Sequence, residues 1–69
     1  MEEIIKYAKE ALLWRARYRK YMEQRPYTRT ASNYRCRWRR ALDKFNDAID
    51  RFEDEHNTII SRRIEDYEI

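Results

Sequence analysis

Between residues 14 and 44 the chain places nine arginines and two lysines against two acids, Glu23 and Asp43. A guanidinium is a planar fork of N–H donors that meets a phosphate or a carboxylate with two parallel hydrogen bonds. A cluster this dense and this rich in arginine over lysine points to anion recognition rather than to solubility alone. The arginines also recur in an order. Residues Trp14-Arg15-Ala16-Arg17-Tyr18-Arg19-Lys20-Tyr21-Met22-Glu23 are echoed by Tyr34-Arg35-Cys36-Arg37-Trp38-Arg39-Arg40-Ala41-Leu42-Asp43, offset by twenty residues. Wound as helices, the copies set Trp14, Tyr18 and Met22 on one face and Tyr34, Trp38 and Leu42 on another, with arginines along the edge.

Two macromolecular partners fit this pattern. The first is nucleic acid, held at its phosphate backbone by Arg15, Arg17, Arg19, Lys20, Arg25, Arg29, Arg35, Arg37, Arg39, Arg40 and Lys44. The alternative is a protein–protein interaction module, a small inhibitor or assembly factor, using the same bases on an acidic protein surface. Arg, Trp and Tyr dominate such interfaces too. The aromatic residues Trp14, Tyr18, Tyr34 and Trp38 are suited to stacking on unpaired bases, but their helical spacing places them first in a core. Tyr27, in a connecting loop, is the aromatic expected to be exposed.

Catalysis finds little support. Cys36 lies among Arg35, Arg37, Arg39 and Arg40, a setting that favours a thiolate. No base, second thiol or oxyanion site accompanies it, and a buried small residue is the expectation. His56, the single histidine, falls on an apolar stripe and is read as a core or interface residue. No glycine loop or metal-ligand cluster is present in the pattern, so neither enzyme activity nor a cofactor nor a metal is expected. Arg29-Thr30-Ala31-Ser32 has the form of a basophilic kinase site, a match common by chance.

The elements that must carry these residues follow from composition. Sixty-nine residues, no glycine and one proline leave few means of making tight hairpins. With 14% aromatic residues and regular apolar spacing, an ordered all-α chain is expected despite 42% charged residues. Alternation of arginine at 15, 17, 19 and at 35, 37, 39 would also suit a β-ribbon, but the flanking segments keep a helical period. Helix 1 is expected over about residues 2–24, opened by Glu2 and Glu3 and stopped by Arg25-Pro26. Residues 25–32 read as a loop, with Thr30, Ser32 or Asn33 capping helix 2. Helix 2 is expected from about 33 to 67, with a possible break near 57 at Asn57-Thr58. Its expected i, i+4 ion pairs are Asp47–Arg51, Arg51–Glu55 and Arg62–Asp66.

A 69-residue chain makes one domain with a small core. At 1.5 Å per residue, helix 1 is roughly 35 Å long and a continuous helix 2 roughly 50 Å. Folded as a hairpin of a short and a long helix, the long one overshoots, leaving Ile59, Ile60, Ile64 and Tyr67 uncovered. Either the end folds back or a homodimer covers it at those four residues. The expectation is a dimeric four-helix bundle.

Charge is divided unevenly. Residues 1–44 carry thirteen bases and five acids, net +8, and residues 45–69 three bases and eight acids, net −5. In helix 2 this opposes the macrodipole, bases at the N-terminal end and acids at the C-terminal end, which local stability does not reward. An external polyanion would. A lone cysteine and the lack of a signal-like or membrane-spanning apolar run suggest a cytoplasmic or other reducing compartment. Helix 1 has some amphipathic character suited to an anionic membrane, but its apolar face is needed for the core, so no membrane partner is expected.

Overall fold

A computed structural model describes residues 1–24 and 29–68. Within them the chain is all-helical: α1 spans Glu2–Gln24, α2 spans Arg29–His56, and a single 3₁₀ turn, η1, spans Ile64–Tyr67. The two α-helices form a hairpin, and the segment after α2 doubles back so that η1 packs on α1. The result is a rod of 44 × 21 × 15 Å.

Helix α1 has the bounds its sequence implies, with Glu2 and Glu3 in its first turn, where exposed amides favour negative charge. Helix α2 begins earlier than expected. Thr30, Ser32 and Asn33 lie inside it rather than capping it, because the apolar spacing reaches back through Trp38 and Tyr34 to Ala31, which is buried. Burial of that alanine adds a turn.

Small residues set the approach of the helices. Ala8 and Ala11 on α1 and Ala41 and Ala48 on α2 are buried, and Phe45, Ile4 and Ile49 are the largest side chains fully enclosed. Tyr7, Leu12, Trp14, Trp38, Leu42 and Phe52 close around this cluster. Leu13 is 46% exposed and does not widen the apolar face into the core.

At its C-terminal end α2 does not continue to residue 67. Asn57 takes φ = 49°, the left-handed conformation that ends many helices. In a chain without glycine, asparagine is the residue that reaches this region most cheaply. Beyond it the Ile60 amide donates to a Glu53 carboxylate oxygen at 3.0 Å, turning the chain back along α2. Arg62 then bridges Asp50 and, at 2.8 Å, Glu53. Ile64 is buried in the core cluster, Ile60 and Tyr67 pack against it, and the Tyr67 ring meets Phe45 edge-on at 5.5 Å. The Tyr67 hydroxyl donates to the Ser61 carbonyl at 2.8 Å.

This return covers part of the surface on which a dimer contact was expected. Ile60, Ile64 and Tyr67 are covered by their own chain, and of the four residues only Ile59, 93% exposed, remains outside. The expected i, i+4 pairs are also replaced by longer-range ones. Arg51 reaches Glu3 on α1 at 3.5 Å, Arg62 goes to Asp50 and Glu53, and Asp66 accepts from the Ser61 hydroxyl. The Arg51–Glu3 pair is two-thirds exposed on both sides and contributes little. Replacing Ile64 by alanine should lower unfolding free energy by about 2–3 kcal/mol, the low end for a buried isoleucine because the site lies at the edge of the core. Urea denaturation would show it.

Candidate nucleic-acid interface

The hairpin brings the C-terminal half of α1 beside the N-terminal half of α2, so both basic aromatic repeats share one end of the rod. The aromatic rings are spent between the helices. Trp14 packs on Tyr34 and Tyr18 on Trp38, each pair with ring centroids 5.9 Å apart and tilted, and Tyr21 meets the same Tyr34 edge-on at 5.9 Å. All five are half-buried. The indole Nε1 of Trp38 is itself buried and finds no hydrogen-bond acceptor among the described residues.

The bases surround this seam. Arg17 on α1 and Arg37 on α2 both lie over the Trp14 ring, their guanidinium carbons 5.1 and 4.9 Å from its centroid. Cation–π contact uses the flat face of a guanidinium and leaves its N–H edge free to donate. Arg37, Arg40 and Lys44 then line one hollow with Glu10 and Trp14, while Arg17 and Lys20 line another with Tyr21, Gln24 and Tyr34. On the opposite flank of α2, Arg35 and Arg39 border a hollow with Trp38 and Leu42. Lys44 also reaches back toward the ring of Tyr7, 5.9 Å from its centroid.

Of the eleven expected contact residues, nine are exposed: Arg17, Arg19, Lys20, Arg29, Arg35, Arg37, Arg39, Arg40 and Lys44. Among the described residues none of these nine has a carboxylate within ion-pair distance; the four ion pairs use Arg15, Arg51 and Arg62 instead. Arg25, like Tyr27, lies outside the described residues. Arg15 departs from expectation. Its guanidinium pairs with Glu65 of η1, and its side chain is only 15% exposed, so it ties the returning segment to α1 instead of facing a partner. Nothing local in sequence announces a pairing fifty residues apart.

Two further expectations are corrected. Cys36 is exposed, because it lies on the side of α2 turned away from the stripe of Tyr34, Trp38 and Ala41. His56 is exposed too, at the last position of α2, its ring 4.1 Å from that of Phe52; the helix ends before the stripe can enclose it. Among the described residues no group of three His, Cys, Asp or Glu stands close enough to hold a metal. No described helix is long and apolar enough to cross a membrane.

The bounds of α2 move its arginines away from the positive end of the macrodipole. Arg29 alone falls in its first turn, whereas Arg35 to Arg40 lie deeper, where the terminal field has faded. Glu65 and Asp66 lie outside α2, in η1, and so do not load its C-terminal end. What opposes local stability is the mutual repulsion of nine unpaired bases at one end.

Electrostatics hold the other end closed. The Arg62 guanidinium is pushed above its ordinary value, chiefly by its hydrogen bond to Asp50 and then by Glu53, against the cost of burial. Burial raises the Tyr67 hydroxyl, helped by the charges of Asp66 and Glu53. Glu65 is lowered below the ordinary 4.5, first by its own backbone N–H and then by Arg15. A carboxylate so lowered adds stability above its unfolded value and loses it as pH falls through the folded one. Acidification through that window should release η1 from α1 before the hairpin melts, seen as a change in Tyr67 and Phe45 NMR shifts. Glu65→Gln should remove the acid-dependent step and leave the shifts flat with pH.

Compared with protein-family models, with curated proteins and with solved structures, the chain finds no match. The functional reading therefore rests on the site itself.

Proposed function

We propose that this protein binds nucleic acid through the phosphate backbone, using the basic end of the hairpin. The observation that carries the reading is the set of nine exposed bases, gathered on the basic half of the hairpin and, among the described residues, without carboxylate partners. Such a cluster repels itself, and a polyanion offers many neutralising phosphates at once while releasing its own condensed counterions. The stacking of Arg17 and Arg37 on Trp14 limits their freedom in advance, which lowers the entropy lost when they engage phosphate. Catalysis plays no part in this reading.

An acidic protein surface is the second reading, and the same unpaired bases favour it. Mapping separates the two. In a ¹⁵N-labelled sample titrated with a random oligonucleotide duplex, amide shifts should move at residues 17–20 and 29–44 and stay fixed at 50–67. No shifts at low salt would reject nucleic acid and leave the acidic protein surface as the partner, and shifts confined to 50–67 would take the contact away from the basic end.

A further inference from the structure

The distribution of bases around α2 says more than their number. Along residues 29–44 the inward line of the helix is Ala31, Tyr34, Trp38 and Ala41, all buried or half-buried against α1. At 100° per residue, Arg35 and Arg39 fall on one flank of that line, and Arg37, Arg40 and Lys44 on the other. The contacts agree with this division. Arg37 lies over Trp14 and shares a hollow with Arg40 and Lys44, whereas Arg35 and Arg39 share a separate hollow with Trp38 and Leu42. Between the flanks the outward line carries Arg29, Ser32 and Cys36, all exposed, while Asn33 falls beside Arg40 and Lys44 on the second flank. Past Leu42 that line turns acidic, with Asp43 and Asp47 both exposed.

Resting on the nucleic-acid reading, we infer that the first turns of α2 enter the major groove of B-form DNA. A helix with side chains is about 10–12 Å across and the groove about 12 Å wide. In that pose Arg35 and Arg39 meet the phosphates of one groove wall, and Arg37, Arg40 and Lys44 those of the other. Arg29, Ser32 and Cys36 face the base edges; a guanidinium donates there, and a hydroxyl can both donate and accept. Asp43 and Asp47 mark where the helix leaves the groove, since a carboxylate cannot approach the backbone. Helix α1 stays behind α2, its Arg17 beside the Arg37 wall.

The same geometry selects against other nucleic acids. A-form RNA has a major groove too deep and narrow for a helix to enter. Single strands are gripped by free aromatic faces, and here Trp14, Tyr18, Tyr21, Tyr34 and Trp38 face one another or arginine.

The test uses the full chain and one 20-base-pair sequence as DNA duplex, RNA duplex and single-stranded DNA, with dimethyl sulfate footprinting of the DNA duplex. Binding to the DNA duplex should be at least tenfold tighter than to either other form. Guanine N7, in the major groove, should be protected while adenine N3, in the minor groove, stays reactive. Reversing either flank alone, Arg35→Glu with Arg39→Glu or Arg37→Glu with Arg40→Glu, should weaken duplex binding at least tenfold with helicity retained. Equal or tighter binding to RNA or single strands, N3 protection, or loss from one flank only would overturn the groove assignment and leave phosphate binding standing. No binding to any form at low salt would overturn both.

Discussion

Reversing charge at Arg35, Arg37 and Arg39 together should abolish nucleic-acid binding, with affinity falling at least a hundredfold at about 100 mM salt. Each substitution removes a phosphate contact and adds a repulsive carboxylate, and a contact to phosphate carries roughly one released counterion. The three side chains are exposed and pair with no acid among the described residues, so the fold loses little by their replacement. Arg37 is the one with a packing role, over Trp14 at 4.9 Å, worth about 0.5–1 kcal/mol at an exposed site. Circular dichroism of the triple variant should therefore match that of the parent while anisotropy of a labelled duplex shows no binding. Binding at parental strength would place the contact elsewhere.

The largest effect on stability is expected at Phe45. It is wholly enclosed, touches Tyr67 edge-on and lies in the same cluster as Ile64 of η1 and Ala8 and Ala11 of α1. One ring therefore joins all three elements. Phe45→Ala should cost about 3–5 kcal/mol through lost burial and the cavity left behind. A core in a chain this short supplies on the order of 3–5 kcal/mol in total. The variant should be largely unfolded at room temperature. Phe45→Leu, keeping most of the volume, should fold with a lowered Tm, separating loss of packing from any loss of the aromatic contact.

The sequence foretold the hairpin where local rules decide. Helix α1 has the bounds that Glu2, Glu3 and Arg25-Pro26 imply. The start of α2 was hidden because Thr30, Ser32 and Asn33 all have capping side chains; the cue that outranks them is Ala31, one step back along the buried line of Tyr34, Trp38 and Ala41. The end of α2 was ambiguous for a different reason. Ile60, Ile64 and Tyr67 fit a continuous helix by spacing, yet the same residues serve a returning segment that packs on Phe45. Tertiary burial chose the second, and Asn57 permits it.

Within the site, the arginine cluster was legible from type and spacing, but its internal division was not. Arg15 looked equivalent to Arg35 by repeat position; only the fold brings Glu65 to it and removes it from the interface. Cys36 was read by residue type as buried, whereas its position on the outward line of α2 leaves it exposed. Trp14 was read as core or stacking residue, and it also acts as the platform on which Arg17 and Arg37 rest. These are distinctions between residues of the same type, made by neighbours far away in sequence.

The most direct test of phosphate recognition is the slope of log K against log salt concentration for the unmodified protein on duplex DNA, from about 50 to 200 mM. If six to nine of the exposed bases contact phosphate, the slope should lie between about −5 and −8. Arg39→Ala should make it shallower by about one. A slope shallower than about −2, or no binding at the lowest salt, would contradict the account and turn the basic end toward an acidic protein surface.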